Sequence, residues 1–181
     1  EAKTLQPKHV PIIIPCRSGS VGVPDKNVKL LGGRPLMAWA IEAAKGSQLA
    51  DRVIVDTDSE DYAKIARDWG AETPYLRPKE LAEDVPSEDV LIHAVGKLLD
   101  TGYFADAVAL VQCTTPLIDS QEIDDCIGPV LMGEADSAIT LKRASEVPSW
   151  MFVQDADGLI YSTKEGGDQH LGLRGQWGIR Q

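Results

Sequence analysis

The sequence predicts an α/β protein with three layers, in which a mostly parallel, Rossmann-like sheet carries helices on both faces. Short apolar runs rich in β-branched residues alternate along the chain with segments whose apolar residues recur at helical spacing. The length of 181 residues suits one such domain, or one domain with an appendage. Because ligands bind beyond the carboxyl ends of parallel strands, the loops at 15–27, 56–59 and 112–118 are expected to face one crevice.

The first unit of this fold is a strand, a loop and a helix. The β-branched run at 10–14 predicts a buried strand. Pro35 suits the first position of the helix, because its fixed φ is already helical. Leu36, Ala40 and Ala43 then recur at helical spacing and predict the face that packs on the sheet.

A second strand and helix follow directly. The β-branched run at 52–56 predicts the strand. Thr57 and Glu60 predict a capping box that begins the helix, and Gly70 predicts its end. The helical stripe consists of Tyr62, Ile65, Ala66 and Trp69.

The remaining elements continue the alternation and then change in character. They are a short strand at 73–76, a helix bearing Leu91, Ala94, Val95, Leu98 and Leu99, a strand at 107–111, a helix from Asp119 or Ser120 to about Leu131, and a strand at 136–141. Residues 1–145 are therefore predicted to form the α/β domain. Residues 146–181 are predicted to form a hairpin and arm, with strands at 150–153 and 159–161 around a turn at 155–158.

The net charge is −10, which argues against a nucleic-acid binder held by a general basic surface. Residues 15–35, however, include four basic residues and a single acid, Asp25. The four are Arg17, Lys26, Lys29 and Arg34. This local basic island suits a small anionic ligand.

The chain shows no sign of export or membrane insertion. Cys16, Cys113 and Cys126 form neither a disulfide framework nor a zinc motif, which suits a reducing compartment. No apolar run has the length of a membrane span, and no signal peptide is visible. We therefore expect a cytoplasmic protein with no nucleic-acid or membrane partner.

The loop at 15–27 combines two glycines and two serines with Arg17 and Lys26. A glycine-rich, basic loop after a strand brings backbone N–H groups and cations to a phosphate. The loop matches neither G-x-x-x-x-G-K-[ST] nor G-x-G-x-x-G. Its residues alone leave two interpretations open, a phosphate-binding loop and an ordinary strand-to-helix connection.

Six segments in order across residues 12–151 extend this observation. Residues 15–27 match P-A-R-x-G-S-K-G-I-P-x-K-N with few changes. The others are similar to L-x-G-x-P-L at 31–36, V-S-T-D-S at 55–59, R-P-x-E-L-A-x-D at 77–84, Q-P-T-S-P-L at 112–117 and P-x-W-M at 148–151. Together they resemble the acylneuraminate cytidylyltransferases, which make CMP-sialic acids and related CMP-activated nine-carbon keto sugars.

The resemblance implies that the anomeric hydroxyl of a nine-carbon 2-keto sugar acid attacks the α-phosphate of CTP and releases pyrophosphate. It also implies Mg²⁺ as cofactor and a homodimer formed through the arm. Two alternatives stay open: a related sugar nucleotidyltransferase of the Kdo type, and a nucleotide-binding or dimer-forming pseudoenzyme without turnover.

By the same resemblance, Arg17 and Lys26 are the catalytic cations, with Arg17 on the β- and γ-phosphates and Lys26 at the α-phosphate. Gln112 is expected to bind the sugar, although it could instead cap the strand end. The implied nucleotide-binding residues are Cys16, Arg17, Gly19, Ser20, Gly22, Asn27 and Arg77. Arg77 could alternatively pair with Glu80 or Asp84 as a loop residue.

Three departures from the family pattern matter: Val21 replaces the usual lysine, Cys16 an alanine, and Ile118 an arginine. The late D-x-D motif whose carboxylates hold the family's Mg²⁺ has no counterpart in this sequence, so the metal ligands stay unassigned. We expect the chain to be a portion of a longer enzyme rather than a shortened member that cannot turn over.

Overall fold

Four helices and a parallel sheet build the larger of two units, Glu1–Thr140. The computed structural model describes residues 8–20, 22–83, 85–141, 152–154 and 160–162. In chain order the elements of this unit are β1 (Pro11–Pro15), a 3₁₀ helix (Lys26–Val28), β2 (Leu30–Leu31), β3 (Arg34–Pro35), α1 (Leu36–Lys45), β4 (Arg52–Asp56), α2 (Glu60–Asp68), a second 3₁₀ helix (Lys79–Leu81), α3 (Ser87–Asp100), β5 (Ala109–Leu110) and α4 (Ser120–Met132).

The central sheet is parallel, with the order β4-β1-β5. β1 pairs with β4 from Pro11↔Arg52 to Pro15↔Asp56, and with β5 at Ile12↔Ala109 and Ile13↔Leu110. This parallel arrangement with intervening helices confirms the predicted α/β fold class.

The central strand is buried on both faces. Ile12 and Ile14 pack in one core cluster together with residues of α1, α2 and α4. Ile13, whose side chain points to the opposite face, packs with Ile54 of β4 and with α3. Since successive side chains of a strand alternate between faces, the apolar run of β1 serves two layers of helices.

The first helix begins one residue later than predicted. Pro35 pairs with Leu30 in the short β2–β3 hairpin and has an extended ψ of 141°, so it precedes the helix as its N-cap. The predicted stripe packs against the core, but it misses most of the positions that are fully buried. The fully buried residues of α1 are Met37, Ala38, Ala40, Ile41 and Ala44, whereas Leu36 and Ala43 are only partly buried.

The predicted capping box of α2 was wrong. Ser59 is the N-cap, and its hydroxyl accepts a hydrogen bond from the backbone N–H of Tyr62. Thr57 is fully buried and its hydroxyl accepts from the N–H of Ser59, so it shapes the turn before the helix. Gly70 follows the helix with a φ of +88°, as expected for a helix stop. At α4 the prediction holds, because Asp119 forms a capping box with Glu122.

Of three further predicted strands, one is shorter than expected and two are absent from the described residues. Residues 73–76 form no strand; a single parallel bridge joins Glu72 to Ile54. The strand predicted at 107–111 shortens to Ala109–Leu110. Residues 136–141 form no strand either, and Ile139 and Leu141 are 75% and 84% exposed. An apolar run becomes a strand only beside a partner, and no described strand pairs with this segment.

The smaller unit, Leu141–Gln181, contains one described hairpin. β6 (Phe152–Gln154) and β7 (Ile160–Ser162) are antiparallel, with Phe152 opposite Ser162. This pairing agrees with the predicted hairpin, whereas the predicted turn at 155–158 and the rest of the arm lie outside the described residues. In the described part of the chain, no helix combines the length and the apolar character needed to cross a bilayer.

Candidate active site

A cavity of about 190 Å³ lies beyond the carboxyl ends of β1 and β5. Its lining consists of Pro15, Arg17, Ser20, Lys26, Asn27, Arg77, Glu83, Val85, Ser87, Val90, Gln112, Cys113 and Thr114. Six of the residues singled out in the sequence therefore meet here: Arg17, Ser20, Lys26, Asn27, Arg77 and Gln112. Cys16, Gly19 and Gly22 do not line the cavity, although they lie in the same loop. Two of the three predicted loops, 15–27 and 112–118, contribute to its lining.

The opening loop is held in shape by side chains rather than by regular structure. The amide Nδ2 of Asn27 donates to the carbonyl of Arg17 over 3.0 Å, which closes the loop on itself. Ser18 donates twice to Asp58, from its backbone N–H (2.8 Å) and from its hydroxyl (2.7 Å). Asn27 is buried, so it supports the loop from inside. Asp58 therefore has a structural role, because it fixes this loop.

Lys26 lies at the start of the first 3₁₀ helix. Asp25, just before it, has a φ of +53°, the left-handed conformation that costs a non-glycine residue free energy. The phenol of Tyr62 on α2 donates to Asp25 Oδ1 over 2.9 Å and holds the turn. Burial, followed by this hydrogen bond, raises the pKa of Tyr62, so the phenol remains a donor. Tyr62 and Asp25 were missed as site residues, because the hydrogen bond joins positions 37 residues apart.

Arg77 reaches the cavity from a buried ion pair. Its Nε donates to Asp56 Oδ1 over 2.9 Å, and its Nη2 donates to the backbone carbonyl of Asp56 over 2.9 Å. A third, longer bond runs from Nη1 to the carbonyl of Leu81. The described structure thus pairs Arg77 with Asp56 and not with Glu80; Asp84 lies outside the described residues.

Asp56 is a second residue that the sequence interpretation missed. It ends β4 with a fully buried side chain. Burial raises the pKa of its carboxyl, and the positive charge of Arg77 opposes that rise. The available signal was an acid that closes an otherwise apolar strand, since a buried carboxylate requires a cation or several donors.

Cys16 and Cys113 lie against each other in the core. Their Sγ atoms are 3.0 Å apart, and both side chains are buried. Burial, with a further contribution from Cys113, raises the pKa of the Cys16 thiol. The side chain of Cys16 therefore belongs to the core cluster, and its backbone N–H donates to the carbonyl of Asp56 over 2.8 Å.

The described residues do not form a resident magnesium site. They contain no group of three or more histidine, cysteine, aspartate or glutamate side chains placed to hold a metal ion. Among the described residues that line the cavity, Glu83 supplies the one carboxylate. Mg²⁺ usually keeps several waters and is held by one or two carboxylates together with substrate phosphates, so Glu83 alone does not form a site without a bound triphosphate. Val21, where the family pattern has lysine, lies outside the described residues.

Comparison with known sequences agrees with this geometry. A family model described as Cytidylyltransferase matches residues 11–148. The chain is 36% identical over 150 residues to the CMP-N,N'-diacetyllegionaminic acid synthase of Legionella pneumophila, covering 81% of this chain and 63% of that protein. It is 44% identical over 116 residues to the N-acylneuraminate cytidylyltransferase of Escherichia coli, covering 64% of this chain and 26% of that protein.

A third relative is the pseudaminic acid cytidylyltransferase of Campylobacter jejuni, 33% identical over 108 residues, with 59% of this chain and 47% of that protein covered. The chain thus spans less than two thirds of the length of each of these curated relatives.

Solved structures show the same fold. A CMP:2-keto-3-deoxy-manno-octonic acid synthetase complexed with CTP is similar with a TM-score of 0.61 at 20% identity, over 71% of this chain and 49% of that one. The 4-diphosphocytidyl-2C-methyl-D-erythritol synthase of Anaerococcus prevotii also gives 0.61, at 12% identity, over 88% of this chain and 65% of that one. At such low identities the likeness concerns the fold alone.

Proposed function

Because the chain belongs to the cytidylyltransferase family, we propose that it transfers CMP from CTP to the anomeric hydroxyl of a nine-carbon 2-keto sugar acid. The observation that carries this proposal is the cavity in which Arg17, Lys26 and Gln112 meet beyond the carboxyl ends of β1 and β5. Phosphate-binding loops of α/β proteins occupy this place in the fold.

In the proposed reaction the anomeric oxygen forms a bond to the α-phosphorus while the bond from that phosphorus to the pyrophosphate oxygen breaks. The hydroxyl proton is lost, and pyrophosphate leaves with the bonding electron pair. Such a transfer requires alignment and neutralisation of charge more than a covalent nucleophile on the protein. Two cations in one cavity meet the second requirement.

The two cations take different roles in this proposal. The planar guanidinium of Arg17 binds two phosphate oxygens at once, which suits the β- and γ-phosphates. Lys26 presents a compact charge at the α-phosphate, where negative charge grows in the transition state. The turn at Asp25, held by Tyr62, supports this placement because it directly precedes Lys26.

The substrate class follows from the relatives. The three named relatives act, by their names, on legionaminic, neuraminic and pseudaminic acids. We propose an acid of this kind here, with the amide of Gln112 as a hydrogen-bond partner of the sugar. Gln112 lies in the cavity lining next to Cys113 and Thr114.

Mg²⁺ enters this proposal as part of the substrate, bound to the triphosphate of CTP, because the described residues do not offer it a site of their own. A homodimer and a cytoplasmic location remain predictions. The dimer prediction concerns the arm, most of which lies outside the described residues.

One assay tests the proposal. The protein is incubated with CTP, Mg²⁺ and a panel of sugar acids, namely N-acetylneuraminic, legionaminic and pseudaminic acid and Kdo, and pyrophosphate release is measured. Release with a nine-carbon acid and CTP, but not with ATP or GTP, is the expected result. Turnover with Kdo alone would overturn the choice of sugar. CTP binding without release for any sugar would instead indicate a nucleotide-binding pseudoenzyme.

A further inference from the structure

The thiols of Cys16 and Cys113 form a close pair beside the cavity, which Cys113 helps to line. Their Sγ atoms are 3.0 Å apart, whereas a disulfide bond measures about 2.05 Å. Each side chain is almost completely buried, at 0% and 2% exposure. Cys113 nevertheless contributes to the cavity lining, so a small molecule in the cavity reaches this member of the pair first.

The strand register explains why the two thiols meet. β1 and β5 pair Ile12 with Ala109 and Ile13 with Leu110, an offset of 97 residues. The same offset places Cys16 opposite Cys113. Neighbouring strands lie about 4.8 Å apart, which is within the Cα separation that disulfides span. The bond therefore requires the sulfur atoms to approach by only about 1 Å and leaves the strand pairing intact.

Both cysteines also replace other residues of the motifs quoted above, alanine at position 16 and proline at position 113. The two replacements are in contact across the sheet, where either one alone would leave a thiol without a partner. By contrast, the third cysteine, Cys126, lies on α4. The chain thus offers a matched control for the pair.

We propose that Cys16 and Cys113 are a reversible redox modification site that a hydroperoxide converts to a disulfide. The thiolate of Cys113 attacks one peroxide oxygen, the O–O bond breaks, and a sulfenic acid and water form. The thiol of Cys16 then attacks this sulfur, the S–S bond forms, and a second water leaves. Two thiols and one hydrogen peroxide thus give one disulfide and two waters, and a thiol reductant reverses the change.

The bond would act directly on the cavity. Arg17 follows Cys16 in the chain, and Gln112 precedes Cys113, and both line the cavity. A crosslink of the two cysteines ties these two walls together covalently and limits their relative movement. Formation of the disulfide does not depend on the proposed function, because the chemistry involves only the two thiols and the oxidant.

The test is to treat the full chain with hydrogen peroxide, block remaining thiols with N-ethylmaleimide and measure the intact mass. The expected result is the loss of two hydrogens and one remaining alkylated cysteine, Cys126, with a crosslinked peptide that joins the regions of Cys16 and Cys113. The crosslink closes a loop of about 97 residues, so the melting temperature should rise by several degrees and return after reduction.

Variants make the result specific. Cys16→Ala and Cys113→Ala should each abolish the loss of two hydrogens, and Cys126→Ser should keep it. Three alkylated cysteines in the oxidised wild type, or a crosslink that needs Cys126, would overturn the proposal. The wild-type and Cys126→Ser measurements do not depend on the folding of the other two variants, so they decide the question even if one of those fails to fold.

Discussion

The guanidinium of Arg77 and the carboxylate of Asp56 form a fully buried ion pair, with 2.9 Å between Nε and Oδ1. The pair joins the end of β4 to a residue that lines the cavity. Among the described residues, Oδ2 of Asp56 has no hydrogen-bond partner. The carboxylate is therefore stabilised mainly by Arg77, whose positive charge opposes the rise that burial causes in the pKa of Asp56.

Removal of one partner should be costly. Asp56→Asn leaves the Arg77 charge buried and uncompensated, so we expect a loss of about 3–5 kcal/mol in the free energy of unfolding, measured by urea denaturation. The control is Asp68→Asn, which breaks the exposed Lys64–Asp68 pair of similar length and should cost under about 1 kcal/mol. Equal losses in the two variants would show that the buried pair contributes no more to the free energy of unfolding than the exposed pair.

Lys26 should matter for turnover more than for binding. Lys26→Ala removes a charge from the place where negative charge grows, so kcat should fall roughly 100-fold while the Kd for CTP rises far less. Steady-state kinetics and calorimetry separate the two effects. Lys29→Ala is the matched control, because Lys29 is an exposed cation three residues further on and does not line the cavity. An unchanged kcat in Lys26→Ala would contradict the role given to this residue.

Tyr62 should also affect turnover, through its hydrogen bond to Asp25 next to Lys26. Tyr62→Phe deletes the hydrogen bond to Asp25, worth about 1 kcal/mol, and frees a strained turn next to Lys26. We expect kcat to fall roughly threefold to tenfold.

The control for Tyr62→Phe is Tyr103→Phe, which deletes a 2.7 Å bond to Asp51. Asp51 precedes β4, at the end of the sheet away from the cavity. A comparable loss of stability with unchanged kcat is expected for this control. If both variants lower kcat alike, Tyr62 has only a general structural role.

The sequence predicted well what depends on local pattern. The apolar run of β1, the strand β4 and the start of α4 at Asp119 or Ser120 follow from neighbouring residues, and all three are present. The cavity was also predictable, because the carboxyl ends of parallel strands lie at one edge of the sheet. Lys26 and Gln112 meet there although 86 positions separate them in the sequence.

The predictions that failed concern features that depend on residues distant in the sequence. The apolar residues at 136–141 suit a strand, but a strand requires a neighbour to pair with. The capping box at Thr57 was wrong because the Thr57 hydroxyl accepts a hydrogen bond within the buried turn before α2. Ser59 caps the helix instead. The Asp56–Arg77 and Cys16–Cys113 contacts depend on strand register and loop path, and no local pattern encodes either.

Two hydrogen bonds from Ser18 to Asp58 tether the opening loop. This tether should appear in the pH dependence of the free energy of unfolding. Burial alone would raise the pKa of Asp58, but the two hydrogen bonds from Ser18, with smaller contributions from a backbone hydrogen bond and from Arg77, lower this pKa below the ordinary value of 3.8. A lowered carboxyl pKa means that the unfolded chain binds the proton more readily. The tether therefore stabilises the fold above the ordinary pKa, and this stability is lost as the pH falls through the pKa of the folded state.

Asp58→Asn should remove this contribution. Since the amide keeps one acceptor, we expect a loss of about 1 kcal/mol at pH 7 and a smaller difference from wild type near pH 3, measured by urea denaturation across that range. Asp56 has the opposite sign, because its raised pKa makes the fold lose stability as the pH rises through its titration. The Asp58 charge is only the smallest of the named contributions to the pKa of Asp56, so most of the Asp56 contribution is common to both proteins. A difference between wild type and Asp58→Asn that stays constant from pH 7 to 3 would show that the Asp58 charge contributes nothing to the hold on Ser18.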